Sequence, residues 1–284
     1  MKKNLLEETG IFLFRNGYTV KNIRSCFDIL ARKDEKILLV KILEDANAVS
    51  EEFAKEMLKV SSYVSGSPVI ISEKAGIMLK ENVVYSRFGV YTLNFETFKN
   101  CVNNKFPFVK STRAGATATI DGKKLKKIRE EQGISLGNLS SKLGVSKKMV
   151  QKYESNVSEL TLNKAFKLYD IFGDKIFNKV NIFSSSHVNP DAHSLYSKKY
   201  SALGFEASDL KKVPFDIIAK KDSELILTEV GDNPKSLSLS KLLDAHELVI
   251  FKYKKPKDIP ALKKEEFLEF ESANELIKFL EEFS

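Results

Sequence analysis

An internal repeat constrains the fold of this chain more than any other feature of its sequence. Residues 27–34 read FDILARKD and residues 215–222 read FDIIAKKD, and the match continues without a gap into residues 37–42 and 225–230. In each copy two short apolar segments flank a charged turn, which is the pattern of a β-hairpin. The same small folding unit is therefore predicted near both ends of the chain.

The segments around the two hairpins also follow one order. A helical stretch that ends at Gly17 or Gly204 comes first, and a polar helical stretch follows the hairpin, at residues 50–63 and 238–245. An apolar strand comes next, at residues 69–71 and 248–251, and a capped helix closes each half, at residues 94–102 and 272–282. This order of elements predicts a duplicated α/β module.

Two stretches of small and polar residues look like linkers between folded units. They cover residues 111–118 and 184–191, and such Ser-, Asn-, Gly- and Pro-containing stretches commonly separate domains. We therefore predict an N-terminal module at 1–112, a central domain at 113–185 and a C-terminal module at 186–284. A length of 284 residues suits two or three such units.

Composition excludes several classes of protein. No apolar run approaches the ~20 residues that a membrane-spanning helix needs, and the N-terminal residues carry no secretory signal pattern. Cys26 and Cys101 are the only cysteines, so neither a disulfide framework nor cysteine-bound zinc is expected. The histidines, at 187, 193 and 246, are scattered and predicted to be structural or solvent-facing. We expect a cytoplasmic, nucleoid-associated protein without metal or cofactor.

Positive charge is concentrated in the middle of the chain. The whole sequence has a formal net charge of +8, and residues 121–153 hold nine Lys or Arg against three Asp or Glu, a surplus of six. A basic segment of this kind is typical of proteins that bind nucleic acid.

Residues 122–173 have the spacing of four short helices. Gly133 and Gly144 follow the first and second helices, at positions where a positive φ is needed. Ser135 and Ser146 stand where the second and third helices need a cap. The predicted inward residues are Leu125 and Ile128; Leu136, Leu139 and Leu143; Val150 and Tyr153; and Leu162, Ala165, Phe166 and Leu168.

The outward face of the third helix would carry Lys147, Lys148, Gln151 and Lys152. Lysine can donate to guanine O6 and N7, and glutamine can bond adenine bidentately in the major groove. The N-terminus of the second helix, at Ser135, can present backbone N–H groups to a phosphate. This pattern predicts a helix-turn-helix that binds double-stranded DNA.

The central segment resembles the Cro/CI (XRE) type of helix-turn-helix. The resemblance rests on LxxIREExGIS at residues 125–135 and on LSxxLGVSxxxVxxYE at residues 139–154. Residues 80–183 are further similar to archaeal HTH-type transcriptional regulatory proteins, through VYSRFGV at 84–90, NFETF at 94–98 and PFV at 107–109.

The resemblance implies roles for individual residues. It implies base contacts at Lys147, Lys148 and Lys152, and contacts to the DNA backbone near Ser135 and Ser146. It also implies a structural ion pair between Arg129 and Glu154, for which direct DNA contact is the competing interpretation. Two positions depart from the usual pattern, because Leu136 replaces a common glutamine that contacts DNA and Ser140 replaces a common alanine.

The repeated hairpins resemble the core of PD-(D/E)xK nuclease-like folds, which hold a divalent metal with two carboxylates and use a lysine to stabilise phosphate charge. The first copy offers Asp28 and Lys41 but has Leu39 where an acid is needed. The second offers Asp216 but has Leu227 at the acid position and Glu229 at the lysine position. We interpret both sites as degenerate, with the two aspartates serving as hydrogen-bonded hairpin residues. Carboxylates that have moved elsewhere could restore a site, at Glu51, Glu52, Glu56 or Asp232.

The resulting hypothesis is a mixed α/β and all-α chain, in which two restriction-endonuclease-like modules flank the helix-turn-helix. It predicts a non-enzymatic, sequence-specific transcriptional regulator that acts as a homodimer and has no membrane partner. The outer modules would serve dimerisation or effector sensing, and the transcription machinery is a further candidate partner. Three alternatives stay open at this point: a metal-dependent structure-specific nuclease of DNA repair or processing, an RNA-binding adaptor, and a protein-interaction scaffold. Two smaller alternatives concern the helix surfaces. Residues 123–127 are either a solvated face or a phosphate-binding surface. Met149 is either a packing residue or a contact to a thymine methyl group.

Overall fold

The computed structural model describes residues 2–112, 115–185, 187–232, 234, 239–257 and 259–283. Arg113, Ala114 and Ser186 in the predicted linkers, and Ser238 at the start of one predicted helix, lie outside these residues. The described α-helices are α1 (Lys2–Arg15), α2 (Glu51–Tyr63), α3 (Phe95–Val102), α4 (Gly122–Glu131), α5 (Leu136–Leu143), α6 (Lys147–Glu154), α7 (Leu162–Phe172), α8 (Leu195–Ala202), α9 (Ser240–Leu243), α10 (Lys264–Glu269) and α11 (Ala273–Glu281).

The described strands include all the apolar segments predicted in the two halves and several that were not predicted. They are β1 (Thr19–Asn22), β2 (Ile29–Lys33), β3 (Lys36–Ile42), β4 (Ser67–Ile71), β5 (Lys74–Ala75), β6 (Ile77–Met78), β7 (Val83–Arg87), β8 (Val90–Leu93), β9 (Val109–Thr112), β10 (Gly115–Ala118), β11 (Leu160–Thr161), β12 (Glu206–Asp209), β13 (Ile217–Lys221), β14 (Glu224–Val230), β15 (His246–Phe251) and β16 (Ala261–Lys263).

The chain forms two compact units. The first unit contains residues 1–71, 88–90 and 183–284, and the second contains residues 72–87 and 91–182. The first unit thus combines both hairpin segments of the repeat, and the second holds the central helices. The mixed α/β architecture is confirmed, whereas the boundaries at residues 112 and 185 stay predictions of the sequence.

In the N-terminal part of the first unit, four strands lie in the order β1-β2-β3-β4. The hairpin β2–β3 is antiparallel, with Ile29 opposite Val40 and Lys33 opposite Lys36. Strand β4 runs parallel to β3, as the intervening helix α2 requires of a crossover connection. Asp34 adopts a left-handed φ of 51° in the hairpin turn, which an aspartate tolerates better than a branched residue does.

The C-terminal part of the same unit has five strands in the order β12-β13-β14-β15-β16. Its hairpin β13–β14 is antiparallel, with Ile217 opposite Thr228, and β15 runs parallel to β14 after α9. Asp222 in this hairpin turn has a φ of 53°. Both parts therefore share one order of strand directions, and their turn aspartates share one conformation.

These two parts bury a common hydrophobic core. It contains Phe27, Leu30 and Met57 from the N-terminal part together with Phe215 and Ile218 from the C-terminal part. Helix α2 packs on β13, and α9 packs on β2. Each part thus places the helix that follows its hairpin on the hairpin of the other part.

Two hydrogen bonds connect the two parts in the same reciprocal way, each from a strand of one part to a helix of the other. Arg32 Nη1 donates to the carbonyl of Leu242 over 3.0 Å, and Lys220 Nζ donates to the carbonyl of Tyr63 over 3.0 Å. Arg32 and Lys220 occupy the same position of the repeated sequence, and each accepting carbonyl lies in the last turn of a helix. A cation at that place satisfies a carbonyl that has no partner within its helix.

The second unit carries the central helices on a small set of strands. Strand β7 is parallel to β9, β9 pairs antiparallel with β10, and β10 pairs antiparallel with β11. Helices α4 to α7 close over a core that includes Leu125, Leu139, Val150 and Leu168. Among the residues that the structure describes, no helix combines the length and the apolar character needed to cross a bilayer.

One predicted core residue of α7 is placed differently. Leu168 and Ala165 are fully buried, but Phe166 exposes 56% of its surface. The sequence prediction that Phe166 points inward is wrong, because Ala165, Leu168 and Phe172 form the buried side of α7, and a surface helix turns only one face to its core.

Candidate nucleic-acid interface

Local signals in the sequence fix the three helices α4, α5 and α6. The hydroxyl of Ser135 accepts a hydrogen bond from the backbone N–H of Asn138 over 3.0 Å, and the hydroxyl of Ser146 accepts one from the N–H of Met149 over 3.2 Å. Gly144 ends α5 with φ 65° and ψ 49°, a left-handed conformation that glycine adopts without the steric cost of a Cβ. The chain therefore reverses within three residues between α5 and α6.

The angle between these helices is held by their buried residues. Leu139 and Leu143 of α5 are fully buried together with Val150 of α6. Ser140 is 6% exposed, and its hydroxyl donates to the carbonyl of Gly137 over 2.8 Å. A small side chain that satisfies its own hydroxyl lets the two helices approach without leaving an unpaired polar group.

Arg129 and Glu154 form a buried, bidentate ion pair between α4 and the end of α6. Arg129 Nε donates to Glu154 Oε1 over 2.6 Å, and Arg129 Nη2 donates to Oε2 over 3.3 Å. Their side chains are only 7% and 8% exposed. Arg129 Nη1 also donates to the carbonyl of Ile134 over 2.9 Å. The hydrogen bonds to Glu154 raise the pKa of Arg129 further, and they join α4 to the end of α6.

Gly122 is a structural residue that sequence reasoning missed. A Cβ at this position would lie 2.4 Å from the backbone oxygens of Tyr153 and Glu154. The N–H of Gly122 donates to the side-chain carbonyl of Asn156 over 2.7 Å. The start of α4 therefore touches the end of α6 backbone to backbone, which no residue with a side chain allows. The only available signal was a glycine directly after the capping residue Asp121.

The outward side of α6 is open to solvent. The residues predicted to contact DNA are all exposed: Ser135, Ser146, Lys147, Lys148, Gln151 and Lys152. Val150 and Tyr153 on the opposite side of the helix are buried. By helical spacing, Lys147, Lys148, Gln151 and Lys152 thus lie on the side of α6 away from its buried residues.

Lys147 reaches back over the first turn of α5. Its Cε would lie 3.1 Å from a Cβ at Gly137, and Ser135 Oγ lies 3.8 Å from the same point. The Lys147 side chain therefore lies close to Gly137 in the first turn of α5, the end of a helix that favours an anion.

Three other lysines of this unit have local partners. Lys164 Nζ donates to the carbonyl of Leu143 over 2.6 Å, so it caps the end of α5 and is not available to a ligand. On α4, Lys124 lies 3.4 Å from Asp121, and Lys127 lies 3.8 Å from Glu131. Met149 is partly buried against the core of the unit, which fits the packing interpretation of that residue.

At the first degenerate nuclease position, Asp28 and Lys41 bond to each other and to neighbouring backbone groups. Asp28 Oδ2 accepts a hydrogen bond from the N–H of Ile42 over 2.8 Å, and its Oδ1 lies 3.3 Å from Lys41 Nζ. The lysine also donates to the carbonyl of Ser25 over 2.9 Å. Leu39, at the acid position, is fully buried.

The second copy repeats the first of these bonds. Asp216 Oδ2 accepts from the N–H of Val230 over 2.7 Å, the counterpart of Ile42 in the repeated sequence. Leu227 is fully buried, and Glu229 is 7% exposed. A hydrogen bond of this kind fixes the strand that leaves the hairpin, and it uses one oxygen of each aspartate.

The carboxylates that could have restored a metal site are engaged elsewhere. Glu56 accepts from the N–H of Lys211 over 2.8 Å, Glu51 pairs with Lys55 over 2.8 Å, and Glu52 lies 3.9 Å from Lys212. Asp232 accepts from the N–H groups of three successive residues, 252–254, and these bonds lower its pKa. Within the described ranges, no group of three potential metal ligands is found.

Two family models match parts of the chain. A PD-(D/E)XK superfamily domain matches residues 2–107, and a helix-turn-helix matches residues 125–173. The resemblance to a nuclease-like fold at the N-terminus and the helix-turn-helix are thereby confirmed. No solved structure matches the chain.

Relatives match almost the whole chain. A protein of Methanocaldococcus jannaschii named "Putative HTH-type transcriptional regulatory protein" is 32% identical over 90% of this chain and 89% of its own length. Relatives with the same description are 31% identical in Methanobrevibacter smithii, over 99% and 97% of the two chains, and 29% identical in Methanosarcina acetivorans, with the same coverage. At this identity and coverage, the chain belongs to the family of archaeal HTH-type transcriptional regulatory proteins.

Proposed function

We propose that this protein regulates transcription by binding a specific sequence of double-stranded DNA through α5 and α6. The observation that carries the proposal is the exposed set Lys147, Lys148, Gln151 and Lys152 on a helix whose other side is fully buried. It is supported by the match of residues 125–173 to a helix-turn-helix and by the names of the relatives.

In the proposed complex, α6 lies in the major groove. Lys148, Gln151 and Lys152 face base edges, and Lys147 meets a phosphate at the N-terminus of α5 together with the capped turn at Ser135. Base contacts supply the sequence preference, while phosphate contacts set the position of the protein along the duplex. Leu136 is half-buried and packs against the core of the unit, so it adds no polar contact.

We further propose that the protein binds DNA as a homodimer. One recognition helix spans few base pairs, and a two-fold pair of such helices reads half-sites about one helical turn, or roughly 34 Å, apart. An effector or the transcription machinery would act on this assembly, which associates with the nucleoid.

The repeat suggests a role for the outer modules. We infer that residues 1–71 and 183–284 are two copies of one module that pair within a single chain. The exchange of α2 and α9 and the matched bonds of Arg32 and Lys220 support this. The faces with which the copies meet are then already buried, so the paired modules form a rigid body that serves dimerisation or sensing through its outer surface and has no enzymatic activity.

DNA binding is tested with the full-length protein and DNA fragments selected from a genomic pool. We expect selection of one motif with two-fold symmetry, and an affinity whose logarithm falls linearly with the logarithm of salt concentration. RNA of the same sequence should compete poorly, since the deep and narrow major groove of an RNA duplex does not admit a helix. Sedimentation of the complex should give two chains per site. Equal competition by RNA, or binding without a selected motif, would contradict the proposal.

The nuclease alternative is supported by the PD-(D/E)XK match alone. We expect no nicking of supercoiled plasmid or branched DNA with Mg²⁺ or Mn²⁺, because Leu39 and Leu227 cannot ligate a metal and a single carboxylate seldom holds one. Cleavage that disappears in Asp28→Ala and persists in Glu35→Ala, an exposed acid of the same hairpin, would instead establish the nuclease.

A further inference from the structure

An apolar cleft of about 630 Å³ opens on the surface of the second unit. The side chains of Phe106, Phe108, Leu162, Phe166 and Tyr169 line much of its wall. Clefts of ~300–1,000 Å³ with apolar and aromatic walls are the usual sites for small organic ligands. Neither the DNA-facing side of α6 nor the degenerate nuclease positions take part in it.

The aromatic rings at the cleft belong to a compact cluster. Phe108 contacts two rings, with centroids 4.2 Å from Phe177 at an interplanar angle of 24° and 5.9 Å from Tyr169 at 18°, and the centroids of Tyr169 and Phe177 lie 6.4 Å apart. Tyr169 is 45% exposed and Phe166 is 56% exposed. Exposing two large rings to water side by side is unfavourable, whereas a planar ligand laid against Phe166 and Tyr169 would cover part of their exposed surface.

The rim of the cleft carries a small excess of positive charge. Lys80, Lys105 and Lys179 stand at the rim with two acids, Glu81 and Asp174. Lys179 is paired with Asp174 over 3.1 Å. Within the described part of the chain, Lys80 and Lys105 have no carboxylate at ion-pair distance, so their ammonium groups are available to an anion.

We propose that this cleft binds a planar aromatic anion. Its ring packs against Phe108, Phe166 and Tyr169, and its acidic group, a carboxylate, sulfonate or phosphate, meets Lys80 and Lys105. The ligand would contact α7, and α7 packs on α5, which gives a bound ligand a direct mechanical connection to the helix pair proposed to bind DNA. The site itself does not depend on DNA binding.

The proposal is tested with the fluorescent aromatic sulfonate 1-anilinonaphthalene-8-sulfonate and the full-length protein. We expect saturable binding of one probe per chain. Phe166→Ser and Lys105→Glu should each weaken it by about tenfold or more. Phe14→Ser and Lys36→Glu are the matched controls, because Phe14 is 71% exposed on α1 and Lys36 is exposed at the start of β3; both should bind the probe as the parent does.

Two outcomes would overturn the proposal. The first is probe binding that Phe166→Ser and Lys105→Glu leave unchanged while their circular dichroism shows a folded chain. The second is sedimentation showing that Phe166→Ser converts a dimer into a monomer, which would make this face an interface between copies. A variant with Lys147, Lys148 and Lys152 replaced by alanine should keep full probe binding, so a failure of DNA recognition is measured separately from a failure of the cleft.

Discussion

Replacing Lys147, Lys148 and Lys152 together by alanine is expected to lower the affinity for the selected DNA site by at least about 100-fold. Each lysine that bonds a base contributes about 1–3 kcal/mol, and each that neutralises a phosphate adds roughly 0.9 to the salt slope. All three side chains are exposed, so their removal leaves the core of the unit intact. The loss should therefore appear in binding and not in folding.

Fluorescence anisotropy of labelled DNA, repeated across a salt series, measures both the affinity for the site and its dependence on salt. The slope of log affinity against log salt should become shallower by about 1–3, depending on how many of the three lysines meet phosphate. The charge-matched control replaces Lys36, Lys55 and Lys199, which lie in the paired modules. Equal losses in the two variants would show that general positive charge, and not α6, holds the DNA.

The helix-turn-helix could be predicted from the sequence because its signals are local. Ser135 and Ser146 each bond an N–H three residues ahead, and Gly144 turns the chain where its φ of 65° is needed. Periodic apolar residues then show which side of each helix is buried. The resulting exposed face of α6 follows from the sequence alone.

Features that depend on distant packing could not be predicted in this way. The inward placement of Phe166 was wrong, since helical spacing alone does not show how wide the buried face is. The need for glycine at position 122 comes from the backbone of Tyr153 and Glu154, about thirty residues later in the chain. The exchange of α2 and α9 between the hairpins is equally nonlocal, although the repeat had shown that two similar units exist.

Arg129→Ala is expected to destabilise the second unit by about 3–5 kcal/mol. The substitution leaves the carboxylate of Glu154 buried at 8% exposure without its partner, and removing one member of a buried ion pair costs this much. The carbonyl of Ile134 loses its donor as well. Glu154→Ala should have a similar effect for the reciprocal reason. Because the chain has two units and no tryptophan, hydrogen exchange at the amides of α4 to α6 is the appropriate measurement.

Two further variants show whether the loss of stability comes from the burial of the ion pair or from its charge. Lys127→Ala breaks an exposed pair on the same helix, with side chains 76% and 59% exposed, and pairs of that kind contribute little to stability. The double variant Arg129→Met with Glu154→Leu should recover most of the lost protection, since an apolar pair of similar volume avoids the unpaired charge. If Arg129→Ala left the exchange rates unchanged but abolished DNA binding, the arginine would be a DNA contact and the structural interpretation of the pair would be wrong.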